Sequence, residues 1–409
     1  MSLFVTVKGS QFYRNGERYM IKGANYWQGM NLAAPTRELG GDRTRLLIEL
    51  DQLQKMGVNN LRIMASSEGP DEEPYRMRPS LQPSIGHYNE HLFEALDYLL
   101  DEMSKRGMTA VMTLSNFWHW SGGFSQYIAW ITKETIPYPV TRDKWDTFTE
   151  FTKRFYNDPT IRQQVNQLYK NHIRVVQTRR NTINGKLYNE DPVIMSWQIA
   201  NEPQLAPKDW FEEIACFIKQ KSPYQLVSSG IESKVDRVDF MNAHESNYID
   251  YCTCHCWVEN WGIYDPSDVN SKKKSLSFAI NYIKEYIMSR YEWSLALVVK
   301  KPIVLEEFGM ARDAWRKPLD SEYKYDPSTP TSHKDIFFKE GVYETIEKLS
   351  NCYGGSNFWA YGGIGRSTDK PNSNGMVWLG DPPHEPKGWY SVYDTDTTVD
   401  IIKQHFMNL

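Results

Sequence analysis

A chain of 409 residues with 40% hydrophobic and 24% charged side chains has enough apolar residues for a large core, which excludes global disorder. Its net charge of −4 is too small to indicate binding to nucleic acid or to an anionic membrane, and no apolar run is long enough to span a bilayer. Aromatic residues are frequent, at 14%, with 14 Trp and 25 Tyr. Because sugar rings stack on such side chains, the composition favours a carbohydrate ligand beside ordinary core packing.

The N-terminal segment predicts a small β-hairpin that leads into a larger fold. Residues 3–22 alternate around Asn15-Gly16, a dipeptide typical of tight hairpin turns. The first residues lack a basic stretch followed by an apolar one, as a secretory signal would have. We therefore leave the compartment open, since either an intracellular protein or a mature secreted form is compatible with this start.

The rest of the chain alternates predicted strands with predicted helices. Eight strands are expected over residues 19–24, 60–65, 108–115, 193–200, 225–229, 250–257, 303–308 and 355–361. Helices are expected over 44–56, 89–106, 144–180 with a break at Asp158-Pro159, 210–219, 275–293, 332–349 and 398–407. This alternation predicts an α/β fold, a (β/α)8 TIM barrel that residues 1–409 form as a single domain. A doubly wound sheet is the alternative, although no Gly-rich phosphate turn follows the first strand.

In a barrel of this kind, the functional residues lie at the C-terminal ends of the strands and on the loops that follow them. The long segments 64–88, 115–141, 257–274, 310–331 and 361–391 all follow predicted strands and are rich in Trp, Tyr, Gly and Pro. We therefore expect long loops on the C-terminal face, grouped around one opening.

Two of the predicted strands end in carboxylates. One ends in Asn201-Glu202-Pro203, and the other contains Glu306-Glu307 before Phe308-Gly309. A buried charge at a strand end is costly unless it is paired or used in catalysis. On a regular strand only one of Glu306 and Glu307 faces the barrel interior, and alternation alone does not show which. Glycosidic hydrolysis needs two carboxyl groups, so Glu202 and either Glu306 or Glu307 are a candidate pair, with a purely structural role for the second acid as the alternative.

The stretch from Cys252 to Trp257, with sequence CTCHCW, contains residue types that bind zinc in other proteins. Strand alternation places its three cysteines on one face and His255 with Trp257 on the other, so these ligands do not converge on one ion. We predict that the cysteines pack beneath the helices without a disulfide framework and that His255 and Trp257 face the opening. No feature of the sequence requires a metal or an organic cofactor.

Taken together, these motifs resemble the signatures of glycoside hydrolase family 5. The motifs that contain Glu202 and Glu307 carry the resemblance, and the fuller pattern is similar to the fungal and plant-type endo-β-1,4-mannanases of that family. The supporting matches span most of the chain in the expected order: Arg62, Asn116-Phe117-Trp118, Gly122-Gly123, His255-Cys256-Trp257, Trp261 and Phe358-Trp359.

The resemblance implies a retaining mechanism with Glu202 as the general acid/base and Glu307 as the nucleophile. Arg62 would hold Glu307 ionised, whereas a less polar setting and the neighbouring carboxylate would raise the pKa of Glu202. Asn201 would contact the 2-hydroxyl of the sugar, and Trp359 would stack beneath the ring. The other residues expected to bind substrate are Asn116, Trp118, His255, Trp257 and Trp261.

One position departs from the family pattern. Family members commonly carry Tyr where Trp257 stands, and that phenol contacts the nucleophile. Since Trp has no phenol, we expect this contact to be missing unless another residue supplies it.

The main functional hypothesis is hydrolysis of β-1,4-mannosidic bonds in mannan or manno-oligosaccharides by a monomeric enzyme, without nucleic-acid or membrane partners. Internal cleavage, removal of single mannosyl units from a chain end, and glycosyl transfer all stay open, because they depend on loops such as 257–274 and 310–331. The alternatives are a β-1,4-glucanase of the same family, which would use the same acids, and a non-catalytic carbohydrate-binding barrel.

Overall fold

A computed structural model of the protein describes residues 3–139, 145–265, 267, 272–313 and 324–409. The ends or interiors of the predicted loops 115–141, 257–274 and 310–331 therefore lie partly outside the described residues, as does the first residue of the helix predicted at 144–180. The strands are β1 Thr6–Lys8, β2 Gln11–Arg14, β3 Glu17–Tyr19, β4 Ile21–Asn25, β5 Asn60–Met64, β6 Thr109–Thr113, β7 Ile194–Gln198, β8 Leu226–Ser228, β9 Cys252–Cys256, β10 Ile303–Phe308, β11 Gly355–Phe358, β12 Tyr361–Gly363 and β13 Val392–Tyr393.

Helices follow most of the barrel strands. They are α1 Gly29–Leu32, α2 Arg43–Lys55, α3 Glu90–Lys105, α4 Gly123–Thr132, α5 Trp145–Asn157, α6 Arg162–Gln177, α7 Lys208–Lys221, α8 Arg237–His244, α9 Leu276–Leu295, α10 Ser332–Ile336, α11 Glu344–Lys348 and α12 Thr398–Asn408, with a π-helical turn, Phe337–Tyr343, joining α10 to α11. Within the described ranges, no helix has both the length and the apolarity needed to cross a bilayer.

Strands β4 to β11 form a parallel sheet that closes on itself. Their order is β8-β7-β6-β5-β4-β11-β10-β9, and all their described pairings are parallel. A parallel bridge between Ser228 and Tyr251 joins the two outer strands, and the Asp250 N–H donates to the Val227 carbonyl at 2.8 Å beside it. The predicted (β/α)8 barrel is confirmed, with all eight strands in their predicted places.

The predicted hairpin is part of a three-stranded antiparallel sheet formed by β1, β2 and β3. Asn15 and Gly16 both have positive φ values, 55° and 87°, which is the backbone shape that a two-residue turn of this kind requires. Phe12 of β2 points into a buried cluster at the N-terminal end of the barrel, with Val5, Ile21, Met195, Leu226, Tyr251 and Val304. The small sheet therefore closes the end of the barrel opposite to the strand ends that carry the acids.

Three helices, α1, α4 and α8, are absent from the sequence prediction. Helix α4 begins with Gly123 and has buried residues through most of its length, so it shows little of the polar–apolar periodicity that marks a surface helix. Helix α8 has only eight residues. Helix α4 lies in the predicted loop 115–141 and packs against α5 and α6.

Candidate active site

Glu202 lies just beyond the end of β7, where the chain turns. A parallel bridge between Asn116 and Asn201 continues the pairing past the last residue of the strand. Glu202 itself has a φ of 50°, and its N–H donates to the Gly230 carbonyl at 2.9 Å. This left-handed conformation is uncommon for a residue with a side chain, and such residues cluster at functional sites. The predicted position of Glu202, after the fourth barrel strand, is confirmed.

Strand β10 contains a β-bulge at its acidic end. Leu305 and Glu307 pair with two consecutive residues of β9, so Glu306 is an additional residue inserted between them. The prediction that only one of the two glutamates faces the interior assumed a regular strand. The bulge removes that condition, and both side chains contact groups inside the barrel.

Glu202 and Glu307 meet at His255 of β9. The Nδ1 atom of His255 lies 2.6 Å from Oε1 of Glu202 and 3.5 Å from Oε2 of Glu307. A carboxylate oxygen of Glu202 lies within 4.8 Å of one of Glu307. Retaining glycosidases hold their two carboxyl groups roughly 5–5.5 Å apart, whereas inverting enzymes hold them roughly 6.5–9.5 Å apart. The spacing here corresponds to the closer arrangement.

Arg62 of β5 joins the two acidic strand ends. Its Nη1 atom forms an ion pair with Oε1 of Glu307, and its Nη2 atom donates to Oδ1 of Asn201 at 2.7 Å. Its remaining donors reach Gln198 at 2.8 Å and Asn25 at 3.0 Å. The predicted contact between Arg62 and Glu307 is confirmed, and the guanidinium is fixed by neighbours on three other barrel strands or strand ends.

Each acid also accepts a hydrogen bond from an indole. Trp118 donates through Nε1 to Oε2 of Glu202 at 2.6 Å, and Trp257 donates through Nε1 to Oε2 of Glu307 at 3.2 Å. The expectation that Trp257 would leave the nucleophile position without its family contact is therefore wrong. The indole N–H donates to the carboxylate where the resemblance expects a phenol.

A cluster of indoles lies beside the acids. Trp359 follows β11, is only 5% exposed, and has ring centroids 5.8 Å from Trp257 and 6.3 Å from Trp120. Trp27 continues the cluster, 5.6 Å from Trp120 and 5.7 Å from Trp378. The Nε1 atom of Trp359 is buried and has no hydrogen-bond partner within the described residues.

Two predicted substrate-binding residues contact protein groups. Asn116 is fully buried, and its side chain bonds to Ser121 at 3.0 Å and to Asn201 at 3.1 Å. It therefore holds Asn201 in place. The ring of Trp261 packs against Tyr282 and Tyr286 of α9, and Nζ of Lys234 lies 5.0 Å above it. A substrate contact for either Asn116 or Trp261 stays a prediction.

The ionisation of the central groups differs from the expectation. Burial would lower the pKa of His255, but the surrounding carboxylates raise it to about 10. Burial acts to raise the pKa of Glu202, but the hydrogen bond and charge of His255 outweigh it, and the pKa is lowered. The pKa of Glu307 is raised by burial, although His255 and Arg62 oppose this shift. The predicted increase for Glu202 is therefore wrong, because a protonated His255 bonds directly to it. The expectation that Arg62 would hold Glu307 ionised is also wrong in direction, because burial raises the pKa of Glu307 by more than Arg62 lowers it.

Three further carboxyl groups near the acids were not predicted. Glu306 is fully buried beside Arg62. Glu232, in the segment after β8, has its pKa raised to about 8 by burial and by the charge of Glu202. Glu385, in the segment after β11, has its pKa raised well above the usual range by burial and nearby carboxylates. Only Glu306 had a sequence signal, its place in the strand, because Glu232 and Glu385 come from irregular segments.

The cysteines do not form disulfide bonds with one another. All five cysteines are free, and Cys252, Cys254 and Cys256 are buried, with Sγ of Cys254 3.6 Å from the Tyr353 hydroxyl.

Glu202, His255 and Glu307 are residue types that coordinate cations. Their atoms already bond to one another and to Arg62, whose fixed positive charge opposes a second cation. The arrangement fits acid–base and nucleophilic chemistry better than a metal centre.

Comparisons with known proteins agree with this geometry. The sequence profile described as "GH family 5 beta-mannosidase-like" matches residues 2–409. Among solved structures, the glycoside hydrolase family 5 mannosidase from Rhizomucor miehei is 60% identical, covers 100% of this chain and 97% of its own, and superposes with a TM-score of 0.95. A variant of that protein has been solved in complex with mannosyl-fructose.

Mannan-cleaving proteins are similar to the chain at lower identity. The putative mannan endo-1,4-β-mannosidase 4 from Arabidopsis thaliana is 28% identical over 428 residues, which cover 98% of this chain and 90% of the relative. The endo-1,4-β-mannanase from Rhizomucor miehei is 18% identical and covers 98% of each chain, with a TM-score of 0.67. At that identity the second likeness concerns the fold alone.

Proposed function

The chain belongs to glycoside hydrolase family 5, in its β-mannosidase-like group, and on this premise we propose that it removes β-1,4-linked mannosyl units from manno-oligosaccharides with retention of configuration. The observation that carries the proposal is the meeting of Glu202, His255 and Glu307 at the C-terminal ends of three barrel strands. Their ligand-type atoms lie within 4.8 Å of one another, and each glutamate is less than 10% exposed.

In the first step, Glu307 is the nucleophile. Its carboxylate attacks the anomeric carbon, the bond to the leaving oxygen breaks, and Glu202 gives that oxygen a proton. The ion pair with Arg62 and the indole N–H of Trp257 hold the Glu307 carboxylate and favour its ionised form. The proton is available because His255, protonated at neutral pH, bonds to Glu202 across 2.6 Å.

In the second step, Glu202 is the base. It takes a proton from a water molecule whose oxygen attacks the anomeric carbon, and the bond to Glu307 breaks, which returns the carboxylate. When a sugar hydroxyl takes the place of the water, the same step transfers the mannosyl unit. The lowered pKa of Glu202 suits this base role, since the carboxylate form is present before water arrives.

Removal from a chain end, rather than internal cleavage, has two supports. The similarity to the Rhizomucor mannosidase is 60% over nearly the whole of both chains, against 18% for the endo-mannanase of the same organism. In addition, Trp27, Trp120 and Trp378 fill the space next to Trp359, and none of these indoles is more than 5% exposed. A packed wall beside the ring platform leaves little room for a second sugar on that side.

The test is the time course of products from mannohexaose whose reducing end has been reduced to the alditol. We expect mannose and the five-sugar alditol as the first products, with β-mannose as the first anomer detected by NMR. Early release of mannobiose or mannotriose would show internal cleavage, and α-mannose as the first anomer would exclude retention.

Parallel incubations address the other hypotheses. The reduced cellohexaose should be cleaved at least about 100-fold more slowly, since a pocket that contacts the 2-hydroxyl discriminates axial from equatorial by a few kcal/mol. Comparable rates on both would favour the β-1,4-glucanase interpretation. No turnover of either oligosaccharide, of mannan or of p-nitrophenyl β-mannoside by the folded protein would favour a binding barrel.

A further inference from the structure

Glu306 is a charged side chain that the proposed mechanism leaves without a role. It is fully buried, and Oε2 accepts a hydrogen bond from Nε2 of Gln198 at 2.6 Å. The same oxygen lies 3.9 Å from Nε of Arg62 and 3.8 Å from Nε2 of His255. A buried carboxylate is costly unless it meets positive charge, and both nearby cations belong to the active site.

His255 has a carboxylate near each of its two ring nitrogens. Nδ1 bonds to Glu202, whereas Nε2 lies 3.8 Å from Oε2 of Glu306, beyond hydrogen-bond distance, and has no hydrogen-bond partner within the described residues. A negative charge this close to Nε2 favours the protonated ring. The geometry thus favours imidazolium, and the β-bulge of β10 is what brings the second carboxylate to this side of the strand.

We infer that Glu306 is a positioning residue that favours the doubly protonated form of His255 in the resting enzyme and keeps the ring oriented, so that its Nδ1–H faces Glu202 before the first step. The inference rests on the proposed function, because it assigns Glu306 to the acid/base of that reaction. Glu306 is buried below the acids and is not expected to touch the sugar, so its effect passes through His255.

The other charged and titratable groups near Glu306 and His255 favour the imidazolium, oppose it or stay neutral. Glu202 and Glu307 favour the imidazolium by their negative charge, whereas Glu232 from the segment after β8, whose pKa is raised to about 8, carries a charge only once it ionises above neutral pH. Arg62 opposes it with its fixed positive charge, and the Tyr251 hydroxyl lies 3.4 Å from Oε1 of Glu306. Burial raises the pKa of both Tyr251 and Cys254, so these two groups stay neutral. Glu306 is therefore the carboxylate that acts on Nε2 without belonging to the reacting pair.

The first experiment compares the pH dependence of kcat/KM for the wild type and Glu306→Gln on p-nitrophenyl β-mannoside. Glutamine keeps the shape of the Glu306 side chain but carries no charge. Since a negative charge favours protonation of its neighbours, its loss should let the Glu202–His255 pair give up its last proton at lower pH. We expect the alkaline limb to move down by about one pH unit, the loss of kcat to be largest on the alkaline side, and KM to change less than about twofold.

Two variants control this result. Glu306→Asp keeps the charge, so its alkaline limb should stay within a few tenths of a pH unit of the wild type even if kcat falls. Glu68→Gln removes a different buried carboxyl, which bonds to the Gly123 N–H at 2.8 Å in the loops and whose pKa burial raises to about 8. It should leave the pH profile unchanged.

The second experiment observes His255 directly and does not need activity. In the protein labelled with 15N-histidine, the His255 signals, assigned by their loss in His255→Asn, should show two protonated ring nitrogens at pH 8. In Glu306→Gln the same signals should show a neutral ring at a lower pH than in the wild type. Because this titration is independent of turnover, it tests the role of Glu306 even if the proposed substrate is wrong.

The possible outcomes distinguish a positioning role of Glu306 from a role in packing alone. A lower titration of His255 together with a shifted alkaline limb supports the inference. A kcat that falls equally at every pH, with an unmoved limb, would mean that Glu306 only supports packing and would overturn it. If Glu306→Gln does not fold, a neutral His255 ring in the wild type at pH 7 overturns the inference, and a doubly protonated ring at pH 8 supports it.

Discussion

The two ends of the barrel differ in the polarity of their side chains, which are apolar at one end and charged at the other. At the N-terminal end, Phe12 of the small sheet packs into an apolar cluster, with its ring centroid 5.3 Å from that of Tyr251. At the C-terminal end, Arg62, His255 and the buried glutamates form a network of charged hydrogen bonds. The first end gains from removing apolar surface from water, whereas the second holds charges that would be costly in a core without a task.

The comparison indicates that stability and catalysis are separated along the barrel axis. In barrels of this type the C-terminal face carries function and the N-terminal face carries stability. Tyr251 is the residue that connects them, because its ring contacts Phe12 and its hydroxyl lies near Glu306. Substitutions at each end should therefore change one property with little effect on the other, and Tyr251 marks where that separation could fail.

The largest effect is expected from Glu307→Gln at the C-terminal end. Losing the proposed nucleophile should lower kcat on p-nitrophenyl β-mannoside roughly 10⁴-fold, about 5.5 kcal/mol of transition-state stabilisation. The protein should stay folded because Gln keeps the shape, but the thermal midpoint should fall, since the buried Arg62 loses its ion pair. Glu68→Gln is the matched control, a buried carboxyl replaced by its amide away from the acids, and should keep near-normal kcat. A wild-type rate in Glu307→Gln would remove this residue from the reaction.

The second-largest effect, a loss of stability, is expected from Phe12→Ala at the N-terminal end of the barrel. Phe12→Ala should destabilise the protein by about 3–5 kcal/mol, because it leaves a cavity in the cluster that closes the barrel. We expect a lower thermal midpoint and a kcat at 25 °C within about twofold of the wild type. Tyr13→Ala, on the other face of the same strand and half-buried, should cost less stability. A large loss of kcat in folded Phe12→Ala would show that Tyr251 transmits changes to the acids.

The sequence predicts the regular parts of both ends. Strands β5, β6, β7 and β10 are short and fully buried, and the alternation of such strands with helices was enough to identify the fold. The two catalytic candidates were found because a charge at the end of such a run has few structural explanations.

The irregular parts could not be predicted. The bulge at Glu306 depends on how β10 pairs with β9, which alternation within one strand does not contain. The pKa direction of Glu202 depends on a 2.6 Å contact with His255, some fifty residues away in the chain. The donor role of Trp257 was missed because the resemblance directed attention to a phenol, whereas an indole N–H reaches Glu307 equally well. Each error concerns contacts between elements.

The indole of Trp257 gives an intermediate effect at the C-terminal end. Trp257→Phe keeps most of the ring but removes the donor to Glu307, and a hydrogen bond to a charged group is worth about 1.5–3 kcal/mol. We expect kcat/KM to fall about tenfold to 100-fold with little change in thermal midpoint. Trp257→Tyr, which restores a donor, should recover part of this loss. Equal activity of the Phe and Tyr variants would mean that ring packing, rather than the N–H, is what matters.

The smallest effect should come from Trp261, which lies in the same segment as Trp257 but packs against α9. Its ring contacts Tyr282 and Tyr286, and Lys234 lies over it, so it belongs to the outer wall of the opening. Trp261→Ala should therefore change kcat/KM on p-nitrophenyl β-mannoside by less than about twofold, whereas Trp359→Ala should lower it more, since aromatic stacking contributes about 0.5–1.5 kcal/mol beyond the area that the ring buries. Mannohexaose sharpens the test, because a loss confined to the long substrate would place Trp261 in a distant acceptor subsite. A loss on both substrates would instead show that the substrate-binding surface reaches as far as α9.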